Sequence, residues 1–304
     1  MQPVDAPAPP LHWGAETLWQ QLEPLLPGLS VEVVAHTAST NTALLERARV
    51  AREPEDDNAF VQVRRSVESA AFGRRAADIQ PCLLVAEHQT AGRGRLGRTW
   101  RSVPGASLTF SLALPMRMAD WSGLSLAVGV ALADALEPDP PTQPRIGLKW
   151  PNDLWLMDGP GIGCKLGGIL IETVAAGAQR LAVVGVGLNV LPIEQPEGTT
   201  TDFGCLQEFD TALSAPALLE RVALPLVRAL KLFECEGFPA FAERFAARDL
   251  LFGQPVRTTL PEVPEGVAQG ASNRGALLVN TATGLKHISS GEVSVRLNPP
   301  AAAC

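Results

Sequence analysis

Glu87-His88-Gln89-Thr90-Ala91-Gly92-Arg93-Gly94-Arg95-Leu96-Gly97-Arg98-Thr99-Trp100 is the stretch on which the reading of this chain turns. It follows the apolar run Cys82 to Ala86, which reads as a buried strand. Glycine and arginine then alternate, and Arg101 adds one more cation. Glycine lets a backbone take positive φ and come close to a ligand. Arginine offers a planar fork of donors matched to carboxylates and phosphates. Cations crowded this tightly repel one another unless an anion sits among them, so the loop is expected to close over an anionic ligand. Gly92-x-Gly94-x-x-Gly97 also fits a dinucleotide fingerprint in form. That fingerprint must open a helix, whereas Thr99 to Gly105 contains Pro104 and cannot start one.

Outward from the loop, the chain alternates between strand and helix signals. Trp13 to Leu26 reads as a short amphipathic helix stopped by Pro27-Gly28, and Val31 to His36 as a strand. Ser39-Thr40-Asn41 offers N-caps for a helix through Leu44, Leu45 and Ala48. The same helix start presents free N–H groups to a ligand's polar end, so both readings stand. Residues 52–80 read as an insertion, with a short helix expected around Ala59 to Arg75. Strands are expected at Ser107 to Leu114, Arg145 to Trp150, Leu154 to Met157, Lys165 to Glu172 and Leu181 to Val190. Helices are expected at Trp121 to Leu136, Ala217 to Cys235 and Phe238 to Ala246. After Gly253 the pattern turns to short strands and tight turns through Leu297, a small all-β module that needs the main domain for support.

Composition narrows the function classes. Hydrophobic residues make up 46% of the 304, enough for a large core. Twenty-five basic against 32 acidic residues leave a net charge of −7, which makes a poor nucleic-acid binder. The five cysteines lack C-x-x-C spacing, which argues against a zinc site or disulfide framework and suits the cytoplasm. No signal peptide is evident, and no apolar run approaches the roughly 20 residues that span a bilayer.

Four further stretches stand beside the loop: Ser39-Thr40-Asn41, Lys149-Trp150-Pro151-Asn152-Asp153-Leu154, Lys165-Leu166-Gly167-Gly168-Ile169-Leu170-Ile171-Glu172 and Gly185-Val186-Gly187-Leu188-Asn189. Singly they are weak signals. In this order and spacing, from His36 to the closing Gly291 to Leu297, the chain resembles the biotin protein ligases. The resemblance implies an α+β fold. A mixed-sheet, synthetase-like catalytic domain of the biotin/lipoate ligase type would occupy residues 31–252, after an N-terminal extension over 1–30. A small C-terminal SH3-like β-barrel would follow over 253–298, with a tail at 299–304. The family's winged helix-turn-helix would need ~60 residues ahead of Ser39, more than this sequence offers. A form lacking the DNA-binding domain is therefore expected.

The resemblance also implies a reaction. ATP would activate biotin as biotinyl-5′-AMP, and a lysine of a biotin carboxyl carrier domain would then take the biotinyl group. Lys165 and Arg95 are the expected catalytic residues. Ser39, Thr40, Asn41, Gln89, Gly92, Arg93, Gly94, Arg95, Trp100, Lys165, Gly167 and Gly168 are expected to bind biotin. Arg95, Arg98, Trp100, Lys149, Asn152, Asn189 and Arg296 are expected at ATP. Mg²⁺ would arrive with ATP, and Asp153 is either its protein ligand or a turn former. No nucleic-acid or membrane partner is expected, and a homodimer fits the family. The rival readings are a lipoate or octanoate ligase on the same fold and a non-catalytic biotin sensor.

Overall fold

The computed structural model describes residues 11–50, 70–72, 80–157, 163–176, 179–193, 203–289 and 295–297. Eight strands form the main sheet: β1 (Ser30–Thr37), β2 (Ala70–Phe72), β3 (Cys82–Gln89), β4 (Ser107–Met116), β5 (Ile146–Lys149), β6 (Asp153–Met157), β7 (Gly163–Ala176) and β8 (Gln179–Asn189). Their order is β2-β1-β3-β4-β8-β7-β6-β5. Among these strands only β1 and β3 run parallel. A parallel pair needs a long crossover, and helix α2 (Thr40–Val50) begins it. The expected insertion lies in this crossover. Its expected helix is corrected at Ala70–Phe72, which pair antiparallel with Val31–Val33 as an edge strand. The remainder of 59–75 lies outside the described residues.

Alternation along the strands sorts the chain into two faces. Leu108, Phe110, Leu112 and Leu114 of β4 and Ala182, Val184, Val186 and Leu188 of β8 enter the main core. Helices α1 (Ala15–Leu22), α3 (Leu124–Leu136) and α4 (Ala215–Glu236) contribute to the same core. Helix α3 buries ten of its residues, from Leu124 to Leu136, as expected of a helix apolar all round. Helix α4 repeats Leu218, Leu219, Val222, Leu226, Leu230 and Phe233 at helical spacing, starts on a Ser214 cap and stops at Gly237, φ 67°. On the opposite face, Leu44, Leu45 and Ala48 of α2 cover Cys82, Leu84, Ala113, Leu181 and Val183.

The β5 edge is closed by the chain itself. Leu148 N–H donates to Arg248 O at 2.7 Å, and Leu250 N–H donates to Leu148 O at 3.0 Å. Arg248 is 3% exposed. It reaches Glu137 Oε2 at 2.7 Å, Asp134 Oδ1 at 3.1 Å and the carbonyls of Glu137 and Ile146. A buried guanidinium is tolerated only with partners of this kind.

The small module carries β9 (Pro255–Thr258), β10 (Glu265–Ala271), β11 (Leu277–Thr281), β12 (Gly284–Ile288) and β13 (Val295–Leu297) in the order β12-β11-β10-β9-β13. Among the described residues β12 and β13 are its edges, so the SH3-like ladder is open. Val256, Ala268, Leu277, Val279 and Ile288 join the main core. The turn before β11 docks on the main domain. Arg274 pairs with Asp120 at 2.8 Å, and Trp150 Nε1 donates to Gly275 O at 3.1 Å. A Cβ on Gly275 would lie 2.5 Å from Gly123 Cα, so only glycine allows the approach.

Candidate active site

The open part of the sheet's second face floors a cavity of about 650 Å³, a size suited to a small-molecule ligand. Strand β8 shows how the sequence makes room for it. Gly185, Gly187 and Asn189 share this face. A Cβ on Gly185 would collide with Asn41 Oδ1, and one on Gly187 would lie 2.5 Å from the Trp100 ring. Asn189 is 7% exposed and donates to Gly204 O at 3.1 Å and Lys165 O at 3.3 Å. The Gly-x-Gly-x-Asn pattern thus clears space for two site side chains and pins the strand that bears Lys165.

One end of the cavity is polar and buried. Ser39 Oγ accepts from Thr42 N at 3.4 Å, capping α2, and Ser39, Thr40 and Asn41 all line the wall. Gln89 Oε1 accepts from Thr40 N at 2.7 Å. Ser111 Oγ, fully buried, lies 2.6 Å from both Thr40 Oγ1 and Asn41 Oδ1. The capping and ligand readings of Ser39-Thr40-Asn41 therefore coincide in one helix start.

The other end is cationic. Among the described residues, Arg93, Arg95, Arg98, Lys149 and Lys165 line the cavity against a single acid, Asp153. Lys165 Nζ sits 2.6 Å from Asp153 Oδ1. A bulge between Leu154 and Trp155 sets their register, with Trp155 opposite Lys165 and Leu154 opposite Gly167. Gly168 lies beside this pair: a Cβ there would stand 3.5 Å from Asp153 Oδ1 and 3.7 Å from Lys165 Nζ, ordinary contact distances. Arg95 Nη1 approaches Asn152 Oδ1 at 3.4 Å. Burial pulls the Arg95 pKa down, Asp153 opposes this and Arg98 adds to it. Lys149 Nζ stands 4.8 Å from the centre of the Trp155 ring.

The Gly/Arg loop hangs between Gly92 and Trp100, joined by Trp100 N–H to Gly92 O at 2.9 Å. Gly94 N–H donates to Arg98 O at 2.7 Å. Leu96 takes φ 56° and is 48% exposed at the cavity rim. Arg93 reaches Glu172 Oε1 at 3.1 Å and Thr42 Oγ1 at 3.2 Å.

Most of the residues singled out in the sequence come together here. Three do not line the wall. Gly92 lies against the Trp100 carbonyl, Gly167 faces the Gly187 carbonyl, and Asn189 works from behind. Arg296 stands on β13, paired with Arg257, and its side chain is outside the described set. Sequence reasoning passed over Thr109, Ser111, Trp155 and Phe203. The hydroxyls at every second position of Ser107-Leu108-Thr109-Phe110-Ser111 were the available signal. Thr109 Oγ1, Trp100 Nε1 and Trp155 Nε1 are buried without a protein partner. Buried polar atoms are normally paired, so this wall is chemically suited to a ligand rich in acceptors. No cluster of three or more metal-ligating side chains occurs among the described residues.

Known proteins agree with this architecture. Residues 77–189 match the model of the Biotin/lipoate A/B protein ligase family, and residues 251–296 match the Biotin protein ligase C terminal domain. The chain is 35% identical to the Biotin--[acetyl-CoA-carboxylase] ligase of Mycobacterium tuberculosis, across 92% of this chain and 91% of that one. It is also 35% identical to the Bifunctional ligase/repressor BirA of Escherichia coli, over 70% of this chain and 65% of that one. Among solved structures, the biotin protein ligase from Aquifex aeolicus in complex with biotin and ATP superposes with a TM-score of 0.65, at 27% identity, covering 88% of this chain and 99% of that one. On these grounds, together with the small β-module docked against the cavity-bearing sheet, the chain belongs to the biotin protein ligase family.

Proposed function

We propose that the cavity binds biotin and ATP side by side, joins them as biotinyl-5′-AMP, and passes the biotinyl group to a lysine of a biotin carboxyl carrier domain. The observation that carries this reading is the set of five cations and one acid, among the described residues, around a single cavity that continues into a buried hydroxyl and amide pocket. The biotin carboxylate and the triphosphate repel each other, and fixed cations bring them into contact without reorganising during the reaction.

In the first half-reaction a carboxylate oxygen of biotin attacks the α-phosphorus, and the bond to pyrophosphate breaks. Lys165 is the group between the two anions. Asp153 holds its ammonium on one side, leaving the remaining two N–H donors for the carboxylate and the α-phosphate. Arg95 neutralises charge on the developing adenylate, while Arg98 and Lys149 take the phosphate side. Ser39, Thr40, Asn41 and Gln89 face the ureido ring, and Trp100 covers the ligand. In the second half-reaction the carrier lysine's amine attacks the carbonyl carbon, and AMP leaves. Among the described residues Asp153 is the only acid on the wall, and it is already engaged with Lys165. That donor set fits a Mg²⁺ ion carried in on phosphate oxygens and water, which would supply charge neutralisation when bound. Among the described residues Cys82, Cys164, Cys205 and Cys235 stand outside any disulfide, which fits a cytoplasmic setting. Among the described residues no helix is long and apolar enough to cross a membrane.

The test supplies labelled biotin, ATP and a carboxyl carrier domain, and reads covalent transfer together with pyrophosphate release. Transfer that requires all three, with lipoate or octanoate inert, is the expected result. Absence of transfer, or equal use of lipoate, would overturn the reading.

A further inference from the structure

We propose that Glu172 is a positioning residue that ties closure of the Gly/Arg loop to the buried polar end of the cavity. One carboxylate oxygen lies 3.1 Å from Arg93 Nη2, and the other lies 3.0 Å from Asn41 Nδ2. Glu172 is not part of the cavity wall, so it acts through these two neighbours. From Asn41 the contacts continue to Ser111 Oγ at 2.6 Å, to Thr40 Oγ1 at 2.6 Å and to Gln89 Oε1 at 3.1 Å from that hydroxyl. Gln89 ends β3, and the loop begins directly after it. This run of polar contacts leaves the loop at Arg93 and returns to its root at Gln89.

The two contacts of Glu172 differ in kind. The Arg93 side chain is 48% exposed, and an exposed ion pair taken alone holds weakly. Asn41 is 3% exposed, and its amide has little freedom to find another partner. Its Nδ2 already donates to Leu170 O at 3.1 Å, and its Oδ1 fills the space that Gly185 leaves open. The buried amide therefore fixes the carboxylate, and the fixed carboxylate gives Arg93 a preset landing point. Thr42 Oγ1, on the same helix start, fixes the other arm of the guanidinium. Arginine held by two oriented acceptors is placed as well as attracted. Glu172 thereby sets where the loop rests, and how long a finished adenylate stays beneath it.

This inference rests on the activity proposed above, and the experiment separates the two. Wild type, Arg93→Ala, Glu172→Gln and the double variant are compared for biotin KM and kcat in pyrophosphate release, and for escape of labelled biotinyl-adenylate without a carrier. The Glu172→Gln change keeps an oxygen for Asn41 and turns the one that meets Arg93 into an NH₂ donor, so both the charge and the acceptor are lost on that side alone. Glu172→Gln is expected to raise biotin KM and adenylate escape about five- to tenfold, with kcat held within about threefold, and Arg93→Ala, which also removes a cation from the wall, to do at least as much. The double variant is expected to be no worse than Arg93→Ala alone, because one link has been cut twice. Glu172→Ala, which also strips Asn41 of its acceptor, is expected to exceed Glu172→Gln. Additive losses, wild-type escape from Glu172→Gln, or a fall in kcat with unchanged KM would each overturn the proposal. A wild-type enzyme that forms no adenylate would instead overturn the proposed function.

Discussion

Strands β4 and β8 carry two faces of opposite character. Toward α3 and α4 they present Leu108, Phe110, Leu112, Leu114, Ala182, Val184, Val186 and Leu188, all in the main core. Between these residues, on the cavity side, stand Thr109, Ser111, Gly185, Gly187 and Asn189. The first face supplies apolar area, at roughly 1.5–3 kcal/mol for each fully buried large side chain. Beyond the part that α2 covers at Ala113, Leu181 and Val183, the second supplies almost none. It gives up packing so that Asn41 and Trp100 have room, and it buries hydroxyls that need partners. Stability and ligand handling are thus separated by one residue of register, and a one-residue slip would exchange them.

The separation can be broken experimentally from either side. The largest effect is expected for Lys165→Ala, on the cavity side: pyrophosphate release should fall by about 10²–10³-fold, the range for removing a preorganised electrostatic group, with the melting temperature unchanged. A large fall in melting temperature would place Lys165 among the structural residues. Next is Leu112→Ala, on the core side. It should cost about 3 kcal/mol of stability by chemical denaturation and leave biotin affinity of the folded fraction intact; weakened affinity would show that the faces are not independent. Gly187→Ala places a methyl 2.5 Å from the Trp100 ring. It should weaken biotin binding by calorimetry about tenfold, the lower part of the overpacking range, and a neutral result would mean the ring moves aside freely.

The last effect expected depends on pH. Asp249 sits where the main sheet meets the small module, and burial pushes its carboxyl from 3.8 up to about 6. Folding therefore favours the protonated form. The benefit is fully present below pH 3.8 and is lost as pH rises to about 6. Asp249→Asn keeps an acceptor for Leu251 N, which Asp249 Oδ1 accepts at 2.9 Å. At pH 7.5 the variant should be up to about 3 kcal/mol more stable than wild type, and the advantage should vanish near pH 4. Denaturant titrations at both values check this; a constant difference would remove the carboxyl's ionisation as its cause.

Much of this was legible in the sequence because it is local. The apolar alternation of β4 and β8, the periodicity of α3 and α4, and the Ser39 cap each follow from neighbours in the chain. Gly185-x-Gly187 was visible as a motif, yet its meaning was not. The residues these glycines accommodate, Asn41 and Trp100, arrive from distant parts of the chain. Arg93 read as a ligand contact, and nothing nearby announced Glu172 as its partner. Nothing local marks Arg248 as buried; its burial depends on Asp134 and Glu137, which only the tertiary fold brings up to it.

The way the main sheet ends bears on quaternary structure. A long ladder has two rims where a second copy of the chain could continue it. At one rim the main-chain groups of Leu148 are already taken by the chain's own Arg248 and Leu250. At the other, among the described residues, the outermost strand is only Ala70–Phe72. Strand-by-strand association is therefore blocked at Leu148, whose ladder groups the chain itself has already filled.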